Sequence, residues 1–224
     1  MVKLADTQDL GSCTARCAGS TPASPTISKH KLMQAMLRLF TGALFFLAAC
    51  SPAPKVPPEN RPAHWAQPVA DARLKNFHQV TPELLRSSFP DGSRDVADLQ
   101  TAGIATVINL RAHNDSEEEI LRGGFTTHRY KMNAGSVTED DLHNVLRLIL
   151  DSPKPVLIHC WHGADRTGFI IAGYRIVVQN WDKDEAIREM RLGGFNFHER
   201  PYANIPATLQ SLDVPALRAR LGLK

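Results

Sequence analysis

The sequence contains no internal repeat, no large block of like charge and no long apolar run. The first absence argues against solenoid and propeller arrays. Five of the 26 basic and two of the 23 acidic residues lie before residue 50, leaving 21 of each in the rest. A body balanced in this way lends no electrostatic support to a nucleic-acid partner. The apolar stretch LFTGALFFLAA runs for about 11 residues, well short of the ~20 that an ordinary membrane-spanning helix needs. Cysteine is scarce too, with four in 224 residues, at positions 13, 17, 50 and 160. At this length one domain with extensions is expected, with enough chain for a real core.

The N-terminal region has the organisation of a secretory signal. ISKHKLMQAMLRLF is basic, the apolar stretch follows, and small residues lead into Cys50. Residues 1–49 are therefore read as signal, beginning at Met33 or Met36 or carrying an unusually long charged region. LAAC resembles the lipobox of bacterial lipoproteins, which makes Cys50 the expected site of lipid attachment. Ser51 after it, in that pattern, favours delivery to the outer membrane, facing the periplasm. Residues 50–68, SPAPKVPPENRPAHWAQP with its flanks, read as a proline-rich tether. With Cys13 and Cys17 cleaved away and Cys50 acylated, Cys160 is the one remaining thiol, without a disulfide partner.

Residues 69–224 read as a single domain. Strand patterns at FHQVT, LLRSSFP, ATVINL, TTHRYKM and PVLIHC alternate with helical ones. DVADLQTAG is stopped by Gly103, and NDSEEEILRGG by paired glycines. TEDDLHNVLRLILD carries Thr138 as an N-cap with Asp141 three residues on. TGFIIAGYRIVVQ is apolar on nearly every face and is expected to be central and buried. Asp182 and Glu185 begin another helix, and a last helical stretch covers about 206–222. This order predicts an α/β fold, a single sheet flanked by helices.

HCWHGADRTG lies between the last strand and the buried helix. Gly163 and Ala164 let the backbone curl, and amides curling into a helix N-terminus form a concave anion site. Arg166 adds a planar fork suited to two phosphate oxygens. The same positive surroundings favour the thiolate of Cys160 as a nucleophile. Anion cradle, thiolate and arginine together describe phosphate-ester cleavage through a cysteinyl-phosphate. An inert buried thiol would need none of this. Cys160, His159 and His162, all within four residues, cannot converge well on one tetrahedral ion, so no metal is expected there.

The loop resembles the His-Cys-x5-Arg-Thr/Ser signature of the cysteine-dependent protein tyrosine and dual-specificity phosphatases. VTPELLRSSFP, TVINLR, VLIHC and AGYRIVVQNWDKDEAIREMRLGGF extend the likeness to the compact periplasmic TpbA-like group of Gram-negative bacteria. The resemblance covers about residues 65–224. It implies a dual-specificity-phosphatase-like fold and hydrolysis of phosphotyrosine, with phosphoserine and phosphothreonine as further substrates. Phosphorylated proteins are the implied partners, and no cofactor, metal or nucleic acid is implied. By the resemblance Cys160 is the nucleophile and Arg166 binds phosphate. Thr167 assists departure of the thiolate, and His159 orients the loop. The amides of Trp161, His162, Gly163, Ala164, Asp165 and Arg166 hold the phosphate oxygens. The side chains of Trp161 and His162 form pocket rim.

One feature departs from the family. Its general acid, an aspartate upstream of the cysteine, aligns with the segment Asn133-Ala134-Gly135, which has no carboxylate. Asp165, immediately before the arginine, is the nearest replacement, because some bacterial phosphatases carry an aspartate there. Glu139, Asp140, Asp141 and Asp115 stay open as alternatives, although Asp140 and Asp141 suit a helix start. The missing acid also leaves a phosphate-binding pseudophosphatase in view. A phosphoinositide or inositol-phosphate phosphatase is the other alternative, and the absence of lysine inside the loop counts against it. A rhodanese-like sulfurtransferase would also use a cysteine loop, but the Arg-Thr-Gly ending favours phosphatase.

Overall fold

Three short apolar runs, LLRS, TVIN and VLIH, become neighbouring parallel strands at the middle of one sheet. The computed structural model describes residues 55–112, 120 and 122–224; the signal segment 1–49, Cys50 and Asp115 lie outside the described residues. The strands are β1 (Gln67–Pro68), β2 (His78–Thr81), β3 (Leu84–Ser87), β4 (Thr106–Asn109), β5 (Thr126–Arg129) and β6 (Val156–His159). They form a six-stranded sheet in the order β1-β2-β3-β6-β4-β5. The β1–β2 and β2–β3 pairs are antiparallel, and β3, β6, β4 and β5 run parallel.

The period-two alternation of strand side chains divides these runs between two cores. Leu84, Ile108, Val156 and Ile158 enter the larger layer. Leu85, Val107 and Leu157 enter the smaller one, with Leu99 from helix α1 (Ser93–Thr101). The larger layer is closed by α2 (Glu139–Asp151), α3 (Asp165–Val177), α4 (Lys183–Leu192), α5 (Asn204–Ser211) and α6 (Val214–Leu221). No helix among the described residues is long and apolar enough to cross a membrane.

The apolar helix is α3, and almost all of it is buried. Gly173 allows its close contact with α2: a Cβ there would come within 2.3 Å of Leu142 Cδ1. Helix α2 opens with the expected capping box, Thr138 and Asp141 exchanging hydrogen bonds. Two expectations need adjusting. Helix α3 begins at Asp165 rather than near Thr167, with no side-chain cap at Ala164. The single helical stretch expected over 206–222 is two helices, because Asp213 caps α6 afresh, with a proline in its first turn.

The tether also ends earlier than expected. Trp65 and Ala66 are buried, and β1 begins at Gln67, so the boundary at 68 falls inside packed structure. Trp65 Nε1 donates to Glu185 at 2.7 Å, and the Ala66 amide donates to Glu189 at 2.5 Å. Glu189 is held in turn by Arg175 through bonds of 3.0 and 3.1 Å, with both side chains buried. Removing one partner of such a buried pair typically costs about 3–5 kcal/mol, since it strands the other charge. This pair therefore joins the N-terminal segment, α3 and α4.

Candidate active site

Ser87, Asn109 and His159 end β3, β4 and β6 in register. The loop thus emerges from the central strand at the carboxyl edge of the sheet, flanked by the ends of two others. Open α/β sheets place ligands at this edge. Cys160 is the first residue beyond β6; it is buried, and its thiol is free.

The loop is fixed mainly through its carbonyls. That of Trp161 accepts from the Phe89 amide at 3.0 Å. That of His162 accepts from Asn76 Nδ2 at 2.9 Å, and that of Gly163 from Arg86 Nη2 at 2.6 Å. Peptide planarity sets each N–H opposite the carbonyl of its own unit. Three outward carbonyls therefore turn the amides of His162, Gly163 and Ala164 to the concave side, forming an anion-binding nest. Gly163 makes this path possible. Its φ is +69°, and a Cβ would lie 2.3 Å from the Ser87 carbonyl oxygen.

Arg86 and Asn76 were not found by reading the sequence. Arg86 is buried, with its guanidinium 3.7 Å from the centroid of the Phe195 ring. Burial pushes its pKa down to about 10, while Glu189 and Cys160 work in the opposite direction. A charged residue inside the apolar strand LLRS was the available signal. Asn76 sits at φ +58° and also bonds the Phe195 carbonyl at 2.9 Å, tying two segments to the loop.

His159 is fully buried, with Nδ1 3.2 Å from the Cys160 carbonyl oxygen. Burial lowers its pKa to about 4, and Arg111 and Arg166 lower it further against the opposing hydrogen bond. The ring is therefore neutral near pH 7. The contact assigns the proton to Nδ1, which donates to the carbonyl and leaves Nε2 without a partner. His159 can orient the loop, but it brings no positive charge to Cys160. The buried Thr167 hydroxyl likewise has no hydrogen-bond partner. Arg166 spans the gap to the neighbouring strands, with Nη1 3.3 Å from the Leu110 carbonyl and 3.4 Å from that of Met132.

Asp165 occupies the first turn of α3 and is buried. Its Oδ1 accepts from the His198 amide at 2.9 Å, and its Oδ2 lies 2.9 Å from His198 Nδ1. The other candidate acids among the described residues are engaged elsewhere. Asp141 bonds Thr138 and Tyr130, Asp140 lies 2.7 Å from Arg220, and Glu139 accepts from the Asp213 amide at 3.2 Å. They serve the start of α2 and its contact with the C-terminal helices. Asn133 caps a short 3-10 turn, Ala134–Ser136, by accepting from the Gly135 amide. The upstream position thus adjoins Arg166 through Met132 and presents an amide where a carboxylate was sought.

Trp161 is 51% exposed and stacks on Phe89 with ring centroids 6.1 Å apart. Arg111 lies over both rings, at 4.5 and 4.1 Å from their centroids. Beside the loop is a cavity of about 920 Å³, to which Trp161, His162, His198, Lys55, Arg73 and Lys75 contribute. Cys160 and Arg166 do not line it, so it is a flank of the loop rather than the cradle itself.

A cysteine at the end of a central parallel strand, an amide nest and an arginine in the next helical turn define a phosphate-ester site of the cysteine-phosphatase type. The chain belongs to the tyrosine phosphatase family, whose model it matches over residues 72–204. It is 34% identical over 202 residues to the dual specificity protein phosphatase TpbA of Pseudomonas aeruginosa, covering 86% of this chain and 88% of that protein. The crystal structure of a cysteine-to-serine variant of P. aeruginosa TpbA in complex with phosphotyrosine superposes with a TM-score of 0.65. It is 34% identical and covers 72% of this chain and 98% of that one. An inositol diphosphatase of Arabidopsis thaliana is 25% identical over 141 residues, 56% of this chain and 65% of that protein.

Proposed function

We propose that this protein hydrolyses phosphotyrosine in proteins, with phosphoserine and phosphothreonine as further substrates. The observation that carries this is the loop whose three outward carbonyls turn its amides inward beside Cys160. The relative crystallised with phosphotyrosine supports the same substrate. The phosphoryl oxygens rest on the amides of residues 161–166 and on guanidinium donors of Arg166 not taken by the two carbonyls.

The Cys160 thiolate attacks phosphorus. As the S–P bond forms, the P–O bond to the tyrosyl oxygen breaks, and Asp165 supplies the proton to that oxygen. Water then attacks the cysteinyl-phosphate and gives its proton to Asp165. The S–P bond breaks, returning the thiolate, which the unpaired Thr167 hydroxyl stabilises by hydrogen bonding. His159 orients the loop as a neutral ring, and Arg86 and Asn76 keep its carbonyls turned outward.

Release of phosphate from a phosphotyrosine peptide tests this. Cys160→Ser should abolish turnover while leaving the circular-dichroism spectrum intact. Activity that survives Cys160→Ser and disappears with chelator would sink the mechanism.

A second reading, a phosphatase of polyphosphorylated small molecules, is favoured by Lys55, Arg73 and Lys75 in the flanking cavity. Asp91 and Asp95 line the same cavity and offset part of that charge. Inositol polyphosphates hydrolysed faster than phosphotyrosine peptide would reverse the preference.

The signal pattern before Cys50 further supports a lipid anchor holding the enzyme in the bacterial envelope, facing the periplasm from the outer membrane. Palmitate label should enter the wild-type chain and not Cys50→Ala. Label in the variant would refute it.

A further inference from the structure

His162, Asp165 and His198 offer one ligand atom each, and all three atoms lie within 4.8 Å of one another. Along the chain His162 neighbours His159 and Cys160, which cannot converge well with it on one ion. Folding changes its neighbours. His159 and Cys160 are buried, whereas the His162 ring stands 5.6 Å from that of His198, centroid to centroid. We infer that His162, Asp165 and His198 bind one divalent transition-metal ion of the zinc class, and that its occupancy withdraws Asp165 from turnover.

Two imidazoles and a carboxylate suit zinc, cobalt, nickel or copper rather than magnesium or calcium. Zinc bonds of about 2.0–2.2 Å set tetrahedral ligand atoms roughly 3.3 Å apart, so small side-chain rotations would close this cluster. Much of the positioning is already made. The backbone amide of His198 donates to Asp165 Oδ1 at 2.9 Å, and its Nδ1 lies 2.9 Å from Oδ2. An ion entering this pair takes the place of the contact between His198 Nδ1 and Asp165 Oδ2. The access is open as well, because both histidines are exposed and line the flanking cavity. Three protein ligands leave a fourth position to water, the arrangement of a zinc site that keeps one position open. Lys55, Arg73 and Lys75 in the same cavity oppose a cation and are only partly offset by Asp91 and Asp95, so binding is reversible rather than structural.

The effect on turnover rests on Asp165 being the acid; the binding does not, and the two are read separately. Binding is followed by the visible d–d absorption of cobalt(II) titrated into the full chain with Cys13, Cys17, Cys50 and Cys160 all replaced by serine. A saturable band of one equivalent is expected, weakened about tenfold or more in affinity by His198→Ala and by His162→Ala. No band, or one indifferent to both substitutions, overturns the site.

Turnover of phosphotyrosine peptide is then measured with zinc in protein retaining Cys160, each variant normalised to its own zinc-free rate. Zinc should inhibit, chelator should reverse it, and His198→Ala should raise the half-inhibitory concentration about tenfold or more. Inhibition unchanged in His198→Ala would place the ion on the Cys160 thiolate and overturn the proposal. Cobalt binding that needs both histidines, together with turnover indifferent to zinc, would overturn the withdrawal of Asp165.

Discussion

The loop from Cys160 to Arg166 and the turn from Met132 to Ser136 meet at Arg166, whose guanidinium reaches the Met132 carbonyl. They are built very differently. Three loop carbonyls are fixed by donors from three separate places: the Phe89 amide, Asn76 and Arg86. The turn is held by the local cap at Asn133 and by Asn204, which donates to the Ala134 carbonyl at 3.0 Å. The half proposed to bind phosphate is pinned carbonyl by carbonyl. The half where the family keeps its acid has no acid at all. A proton donor only has to reach the leaving oxygen, so it can be supplied from another element, whereas an amide nest exists only as one continuous backbone path.

After the loss of Cys160, the largest expected effect tests the proposed proton donor. Asp165→Asn should slow phosphotyrosine-peptide turnover by about a thousandfold, within the range general acid catalysis supplies, and p-nitrophenyl phosphate far less. Asn133→Asp keeps an oxygen for the Gly135 amide and returns a carboxylate to the turn, so it should restore part of the loss. Equal mild losses on both substrates would leave Asp165 as a loop-shaping residue.

Gly163→Ala should come next. Its Cβ would meet the Ser87 carbonyl at 2.3 Å, and a loop displaced by about 1 Å loses on the order of a hundredfold in kcat/KM. The matching change in the turn, Gly135→Ala, finds only Asn133 Oδ1 at 3.6 Å and should change activity little. Comparable losses in both would erase the contrast.

The smallest effect is on stability. His159 and His78 are buried, with pKa values lowered mainly by burial from 6.5 to about 4. Between those values the unfolded chain binds more protons than the folded one. Stability from these two groups is therefore complete above about pH 6.5 and falls as pH drops towards 4. Each contributes on the order of 3 kcal/mol at most. Urea unfolding across this range should show the decline, and His159→Gln should make it shallower, leaving the share of His78. A flat wild-type profile would contradict the assignment.

What was legible in the sequence was what is local in the chain. The strand–loop–helix around Cys160, the Thr138–Asp141 capping box and the stop at Gly103 each depend on a few consecutive residues. The sheet order was not legible, since β3 and β6 pair across the whole middle of the chain. Arg86, Asn76 and His198 escaped for the same reason, as each acts on the loop from a distant segment. Trp65 and Ala66 read as tether because their partners, Glu185 and Glu189, belong to a helix far along the chain. The start of α3 was placed late because its first turn has no capping side chain to mark it, and that misplacement put Asp165 and Arg166 in the loop instead of the helix.

Trp161 has an optical consequence. The chain has three tryptophans; Trp65 is buried, Trp181 lies beneath the guanidinium of Arg175, and Trp161 is 51% exposed. Its indole rides on the loop itself, stacked on the Phe89 ring and with the Arg111 guanidinium 4.5 Å from its centroid. Iodide in solution therefore quenches chiefly this one emitter, and an oxyanion settling in the nest alters the field it experiences. The enzyme carries its own fluorescent gauge of loop occupancy, readable in stopped flow without a dye and without turnover.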